Sequence, residues 1–239
     1  MFRFYGLRVL KDYIGHIILI GLPVTLISLM VIINEQASPD ADVPTMALFI
    51  GIIYIIMFQG FGAAYTFEGI EYDFFSPFKD RLRAAPINPM VFILANIVFG
   101  IITSYLQSLV LVGFIIVVFN VTINNLLGVL GVLFIGVVLA QLLAALLILM
   151  FKKASKAQAI ITIYIIAGMV SAGFFFPLPK TDVTEFLSKY SSPLAWTHYA
   201  AYGLINEVYS EALVGIGLLS GFIAIIALGV YFLSRRVVL

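Results

Sequence analysis

Apolar positions along the 239-residue chain run in long unbroken stretches instead of alternating with polar ones. Six stretches, 14–33, 46–66, 90–119, 126–151, 157–176 and 212–233, reach the length of one bilayer crossing, about 20 mostly apolar residues. The third and fourth exceed it, which predicts tilt or extension past the bilayer. The pattern predicts an all-α membrane protein of six transmembrane helices, organised as a single transmembrane domain over 1–239.

Three segments outside these stretches carry patterns of their own. In 1–13, Leu7, Leu10 and Ile14 share one helical face and Arg8, Lys11 and Asp12 the other. That predicts an N-terminal amphipathic helix in the membrane interface; a short charged tail that only sets orientation is the competing reading. In 67–89, Ile70, Phe74, Phe78 and Leu82 recur every four residues, Pro77 interrupts the run, and Pro86 and Pro89 close it. That predicts an imperfect helix parallel to the membrane, resting on lipid headgroups or pressed between lipid and a cytoplasmic partner. The segment 177–211 contains SSPLAWTHYAAYGLI, whose 194–205 portion is apolar and aromatic but too short to span. Re-entrant or short helices before the last span are expected there.

Composition agrees with a lipid environment: 63% of residues are hydrophobic and 10% charged, where soluble domains carry about 25% charged residues. The net charge of +1 conceals a sorting of cations. Arg3, Arg8 and Lys11 precede the first span. Lys79, Arg81 and Arg83 lie between the second and third, Lys152, Lys153 and Lys156 between the fourth and fifth, and Arg235 and Arg236 after the sixth. Only Lys180 and Lys189 fall on the other side. The positive-inside rule then places both termini in the cytoplasm of a cell-membrane protein.

Candidate chemistry changes this picture little. The chain has no cysteine, and its two histidines, His16 and His198, fall at opposite membrane faces. Neither H-E-x-x-H nor G-x-S-x-G occurs, and no glycine-rich loop ends in Gly-Lys. A protein of this kind that uses ATP needs another polypeptide to bind it. No basic tract suggests nucleic-acid binding. No charge sits mid-span, which argues against a proton- or sodium-coupled carrier. Gln59, Asn96, Thr103, Ser104, Gln107, Ser108, Gln141 and Ser171 are polar residues within spans, suited to interhelical hydrogen bonds or to substrate contact. Gly217 and Gly221 form a G-x-x-x-G suited to close packing within one chain or between two.

The layout resembles the permease subunits of type-2 ABC transporters, and two local motifs carry the resemblance. Glu68-Gly69 followed by Ala84-Ala85-Pro86 matches the family's steps after span two and before span three. Ala172-Gly173-Phe174-Phe175-Phe176-Pro177 and Ser192-Pro193-Leu194 match those before the last span, with serine in place of the usual asparagine. The resemblance implies a transporter permease with no ATPase site of its own. Its expected partners are an ATP-binding cassette subunit carrying ATP and magnesium, a second permease chain in a homodimer or heterodimer, and membrane lipid. It implies a cytoplasmic coupling helix over 68–83, with Glu68, Glu71, Lys79, Asp80, Arg81 and Arg83 as ATPase-coupling residues. It also implies a substrate path near Phe58, Gln59, Tyr164, Phe174 and Phe175. So weakly charged a path suits export of an amphiphile: a drug, a lipid or an antimicrobial peptide. An ion-gradient-driven secondary carrier and a membrane-embedded lipid-modifying enzyme are the alternatives.

Overall fold

The computed structural model describes residues 6, 12–80, 88–175, 178–179 and 181–238. The expected N-terminal amphipathic segment with Arg3, Arg8 and Lys11 lies outside the described residues, apart from Gly6 and Asp12 onward. So do Arg81, Leu82, Arg83, the Ala84-Ala85-Pro86 step, Phe176, Pro177 and Lys180.

Among the described residues no strand occurs, and six helices are long and apolar enough to cross a bilayer. The elements are α1 (Tyr13–Ala37), α2 (Val43–Phe61), α3 (Ala64–Ile70), a π-helical turn (Glu71–Phe75), α4 (Pro89–Phe119), α5 (Leu126–Phe151), α6 (Ala154–Ser171), α7 (Asp182–Tyr190), α8 (Pro193–Ile205) and α9 (Tyr209–Val238). Side chains able to cap a helix start several of them. Asp12 accepts from the amide of Gly15, Asp42 from Thr45, Asn88 from Met90 and Asn125 from Gly128. Each satisfies a backbone donor that the first helical turn leaves without a partner.

The helices sort into inner and outer ones. The second crossing, formed by α2, α3 and the π-helical turn, is 78% buried over its most apolar stretch, whereas α1 is 17% buried and α9 22%. Ile52, Ile55, Phe67 and Ile70 of that crossing are sealed against Ile93, Leu111 and Ile115 of α4, Leu133 and Ile148 of α5, and Ile161 and Ile165 of α6. α8 packs on α5 and α9, and α7 packs on α8.

The second crossing is longer than the bilayer requires. Val43–Phe75 has 33 residues, ~50 Å of helix against a hydrocarbon core of ~30 Å. The excess lies at the near end, defined here as the end where α1 begins. Tyr65 hydrogen-bonds to His16 in the first turn of α1. Beyond that level the helix continues to Phe75, roughly 15 Å further. α4 runs antiparallel beside it, and the packed pairs step from Gln59–Ser108 through Gly62–Ser104 to Gly69–Asn96. The sequence pattern ends this span at Thr66 and begins a membrane-parallel helix at Phe67. In the structure the chain turns only at Ser76 and Pro77.

Candidate functional site

The near end is a projecting helical pair: α3 with its π-helical turn on one side, the start of α4 on the other. Its central tie is Asn96, whose side-chain amide donates to Asp73 Oδ2 at 2.7 Å and to the Phe92 carbonyl at 2.9 Å. Asp73 is 1% exposed. A β-carbon at position 69 would overlap the Asn96 side chain, so Gly69 is what lets Asn96 reach Asp73. This is the physical content of the Glu68-Gly69 motif. Phe92 and Ala95 pack with Phe74, Phe78 and Phe99 on the flank. Ser76 Oγ accepts from the Phe78 amide at 3.1 Å and donates to the Tyr72 carbonyl, which fixes the turn at the tip.

Of the expected coupling residues, Glu68, Lys79 and Asp80 are exposed on this projection and Glu71 is half-buried in the π-helical turn. Arg81 and Arg83 lie outside the described residues. Asp73 and Asn96 were not among the expected coupling set. The signal that finds Asp73 is spacing: Gln59, Thr66 and Asp73 recur every seven residues, which returns them to one helix face.

That face carries a ladder of buried hydrogen bonds into α4 and α5. Gln59 Nε2 donates to Ser108 Oγ at 3.0 Å and to the Leu133 carbonyl at 3.2 Å. Thr66 Oγ1 donates to Gln141 Oε1 at 2.6 Å, and Gln141 Nε2 donates to Ser104 Oγ at 2.9 Å. Gly100 leaves room for this rung, since a β-carbon there would meet both Thr66 Oγ1 and Gln141 Oε1 at 2.5 Å. In a bilayer such groups have no water to turn to, so each rung fixes the register of three spans. A separate set links α1, α3 and α4: Gln107 Nε2 donates to the Tyr65 hydroxyl at 3.3 Å, and that hydroxyl sits 2.8 Å from His16 Nδ1. Of the polar span residues read from sequence, Gln59, Asn96, Ser104, Gln107, Ser108 and Gln141 bond between helices. Ser171 bonds to Ser191 and to the Gly168 carbonyl.

The expected path residues separate into three places. Gln59 and Tyr164 share a cavity of about 30 Å³ bounded by α2, α5, α6 and α8. One or two waters fill that volume. Phe58 is buried with its ring 5.5 Å from Phe61. Phe174 packs on His198, while Phe175 is 42% exposed.

At the far end, α6 closes with a Schellman turn. The Gly173 amide donates to the Val170 carbonyl and the Phe174 amide to the Met169 carbonyl, with Gly173 at φ 75°. A left-handed residue is needed at this position, and glycine adopts it without strain. The turn throws Phe174 back onto His198, at 4.6 Å between ring centroids. Phe49 and Tyr202 complete an aromatic surround at 5.3 and 4.9 Å. Among the described residues His198 Nε2 is buried without a hydrogen-bond partner, and desolvation pushes the ring down to about 4. Ser192 caps α8 by accepting from the Ala195 amide at 3.2 Å, with Pro193 at the first helical position. Serine and asparagine are equivalent caps, so the departure from the family's asparagine leaves the turn intact. Trp196 Nε1 donates to the Tyr190 carbonyl at 2.9 Å and joins α8 to α7. A β-carbon at Gly217 or Gly221 would meet nothing within 4 Å among the described residues.

The chemistry assembled here holds helices in register and presents a charged tip. Residues 22–234 match the family described as ABC-2 family transporter protein. No curated protein matches the chain.

Proposed function

The chain belongs to the ABC-2 family of transporter proteins, and from that premise we propose that it is the permease half of an ATP-driven exporter for an amphiphile such as a drug, a lipid or an antimicrobial peptide. A separate ATP-binding subunit supplies ATP and magnesium, and a second permease chain, identical or related, completes the pathway. The protein resides in the cell membrane with both termini and the near-end projection in the cytoplasm, an orientation supported by the sorting of lysines and arginines.

The observation that carries this reading is the projection itself. Two inner spans outrun the bilayer together and end in a tip that exposes Lys79 and Asp80. Their stems are tied by Asp73–Asn96 and by the polar rungs above. A displacement imposed on the tip by the ATPase pair is thereby passed to the second, third and fourth spans as one unit. Coupling requires an element that makes different contacts in the two states of the motor. Glu68 and Glu71 flank the base of the tip, and Arg81 and Arg83, next in the sequence, join the coupling set by their charge. The water-sized cavity beside Gln59 and Tyr164 supports a pathway between two permease chains in place of one within a single chain. In that assembly Phe174 and Phe175 sit toward the far mouth. The large exposed apolar surfaces of α1, α6 and α9 leave room for lipid and for the second chain.

The test is co-purification with the ATPase subunit and measurement of stimulated ATP hydrolysis in proteoliposomes. Combined Lys79→Glu and Asp80→Lys exchange is expected to abolish most of the stimulation while the permease remains in the membrane. Stimulation unaltered by that exchange sinks the coupling assignment.

A further inference from the structure

Gly6 is helical and half-buried, and it stands on Phe99 of α4: a β-carbon at position 6 would meet Phe99 Cε1 at 3.5 Å. Phe99 packs with Phe74, Phe78 and Phe92 on the flank of the projection. Gly6 and Phe99 also share the lining of a groove between α1 and α4 with His16, Ile20 and Gln107. The start of the chain therefore reaches the projection itself, at a height that can be measured along α4.

That height decides how the first residues run. Gln107 is level with His16, since its amide lies 3.4 Å from His16 Nδ1. From Gln107 back to Phe99, α4 climbs ~12 Å toward the tip. α1 begins at Tyr13, only ~5 Å tipward of His16. Asp12 has ψ 59° and caps α1 through the Gly15 amide, so the helix breaks there. A chain lying flat on the membrane surface before Asp12 leaves Gly6 near the level of Tyr13, ~7 Å short of Phe99. A chain that climbs alongside α4 brings Gly6 to it.

The sequence supplies a face to match. On a helix turning ~100° per residue, Phe2, Val9 and Leu10 fall on the side of Gly6, and Arg8 and Lys11 fall opposite, together with Phe4. Docking by the Gly6 side buries apolar groups against an aromatic flank and leaves both cations in water or among headgroups.

We propose that residues 2–11 form the third helix of the near-end projection, docked by their Gly6 face on the Phe99 side of α4. The docked helix braces α1 to the tip, so that the first span moves with the second and third. It rests on packing within one chain and needs neither motor nor cargo, so it stands or falls apart from the export reading.

The experiment uses the full chain in phospholipid nanodiscs. The protein has no cysteine, so an introduced pair reports on itself alone. Gly6→Cys combined with Phe99→Cys, oxidised with copper–phenanthroline, is expected to cross-link within the chain several-fold faster than Gly6→Cys combined with Leu106→Cys. Leu106 lines the same groove near the level of His16. Equal or reversed rates overturn the climb and lay the segment flat on the membrane. Hydrogen exchange then reads the brace. Gly6→Trp is expected to speed amide exchange over residues 89–99 by ~10-fold, equivalent to ~1.4 kcal/mol of opening free energy, while residues 209–238 exchange as before. Gly6→Ala, whose β-carbon stands at ordinary contact distance from Phe99, exchanges like the parent chain. Unchanged exchange over 89–99 in Gly6→Trp overturns the brace.

Discussion

The two ends of the bundle are held by different chemistry. At the near end, Asn96 bridges to a buried carboxylate across a glycine, and further rungs follow at seven-residue spacing. At the far end, a Schellman turn, a serine cap and a surround of aromatic rings enclose a histidine whose Nε2 has no partner among the described residues. The difference follows from what surrounds each end. At the near end α3 packs on α4, α5 and α6, and the directed bonds of Thr66 and Asp73 set the register of that packing. The far end is packed between α5, α9 and α2, where close fit of apolar and aromatic side chains is joined by the Trp196–Tyr190 bond to α7. One end resists shear; the other is a fitted lid.

The sharpest way to break this contrast is at Asp73. Asp73→Leu leaves Asn96 facing an apolar group inside the projection and is expected to destabilise the protein by about 3–4 kcal/mol, read as thermal unfolding in micelles. Trp196, the single tryptophan, reports on the far end, and its emission below the transition is expected to stay unchanged. A shifted Trp196 spectrum in the folded variant would merge the two ends into one unit.

The next effect belongs to the far end and to acid. His198 titrates near 4 in the fold, below the usual 6.5, because burial disfavours its charged form. A depressed histidine value means that the unfolded state binds the extra proton first. Stability is therefore complete above about pH 6.5 and declines as pH falls toward 4, by on the order of 2–3 kcal/mol. His198→Phe removes that part of the acid sensitivity; equal pH profiles for the two proteins would remove the histidine from the lid. Gly69→Ala should cost about 2 kcal/mol by forcing Asn96 off Asp73, and pairing it with Asn96→Ala should recover part of the loss. Gln141→Leu is the mildest, about 1 kcal/mol, the scale of interhelical hydrogen bonds in membranes. A null result there would make the rung between Thr66 and Ser104 a passenger of packing.

Most of the architecture is legible in the sequence because a bilayer imposes length and apolarity on each crossing. The short helix α8 is legible too, from the apolar run at 194–205. What escaped is where the second crossing ends. Glu68, Glu71 and Asp73 read as part of a separate membrane-parallel helix, since a single chain segment shows their polarity and not their partners. Asn96 and Gly69 together make continuation of the second crossing the better state for this stretch, and that pairing exists only once α4 lies alongside. The ladder was half legible: the polar residues could be named, but Gln59 with Ser108, or Thr66 with Gln141, requires the register of three helices. The scatter of the path candidates has the same origin, because aromatic residues near a membrane face look alike whether they pack on His198 or meet lipid.

The ladder has a consequence for how the protein is made. Thr66 and its acceptor Gln141 are 75 positions apart in the chain, and at ordinary translation speeds roughly 4 to 15 seconds separate their synthesis. During that interval the second crossing has left the ribosome with the Thr66 hydroxyl still lacking its acceptor. Hydrocarbon is a poor place to wait. Retaining the second span in a sheltered site until the fourth arrives would spare Thr66 that exposure.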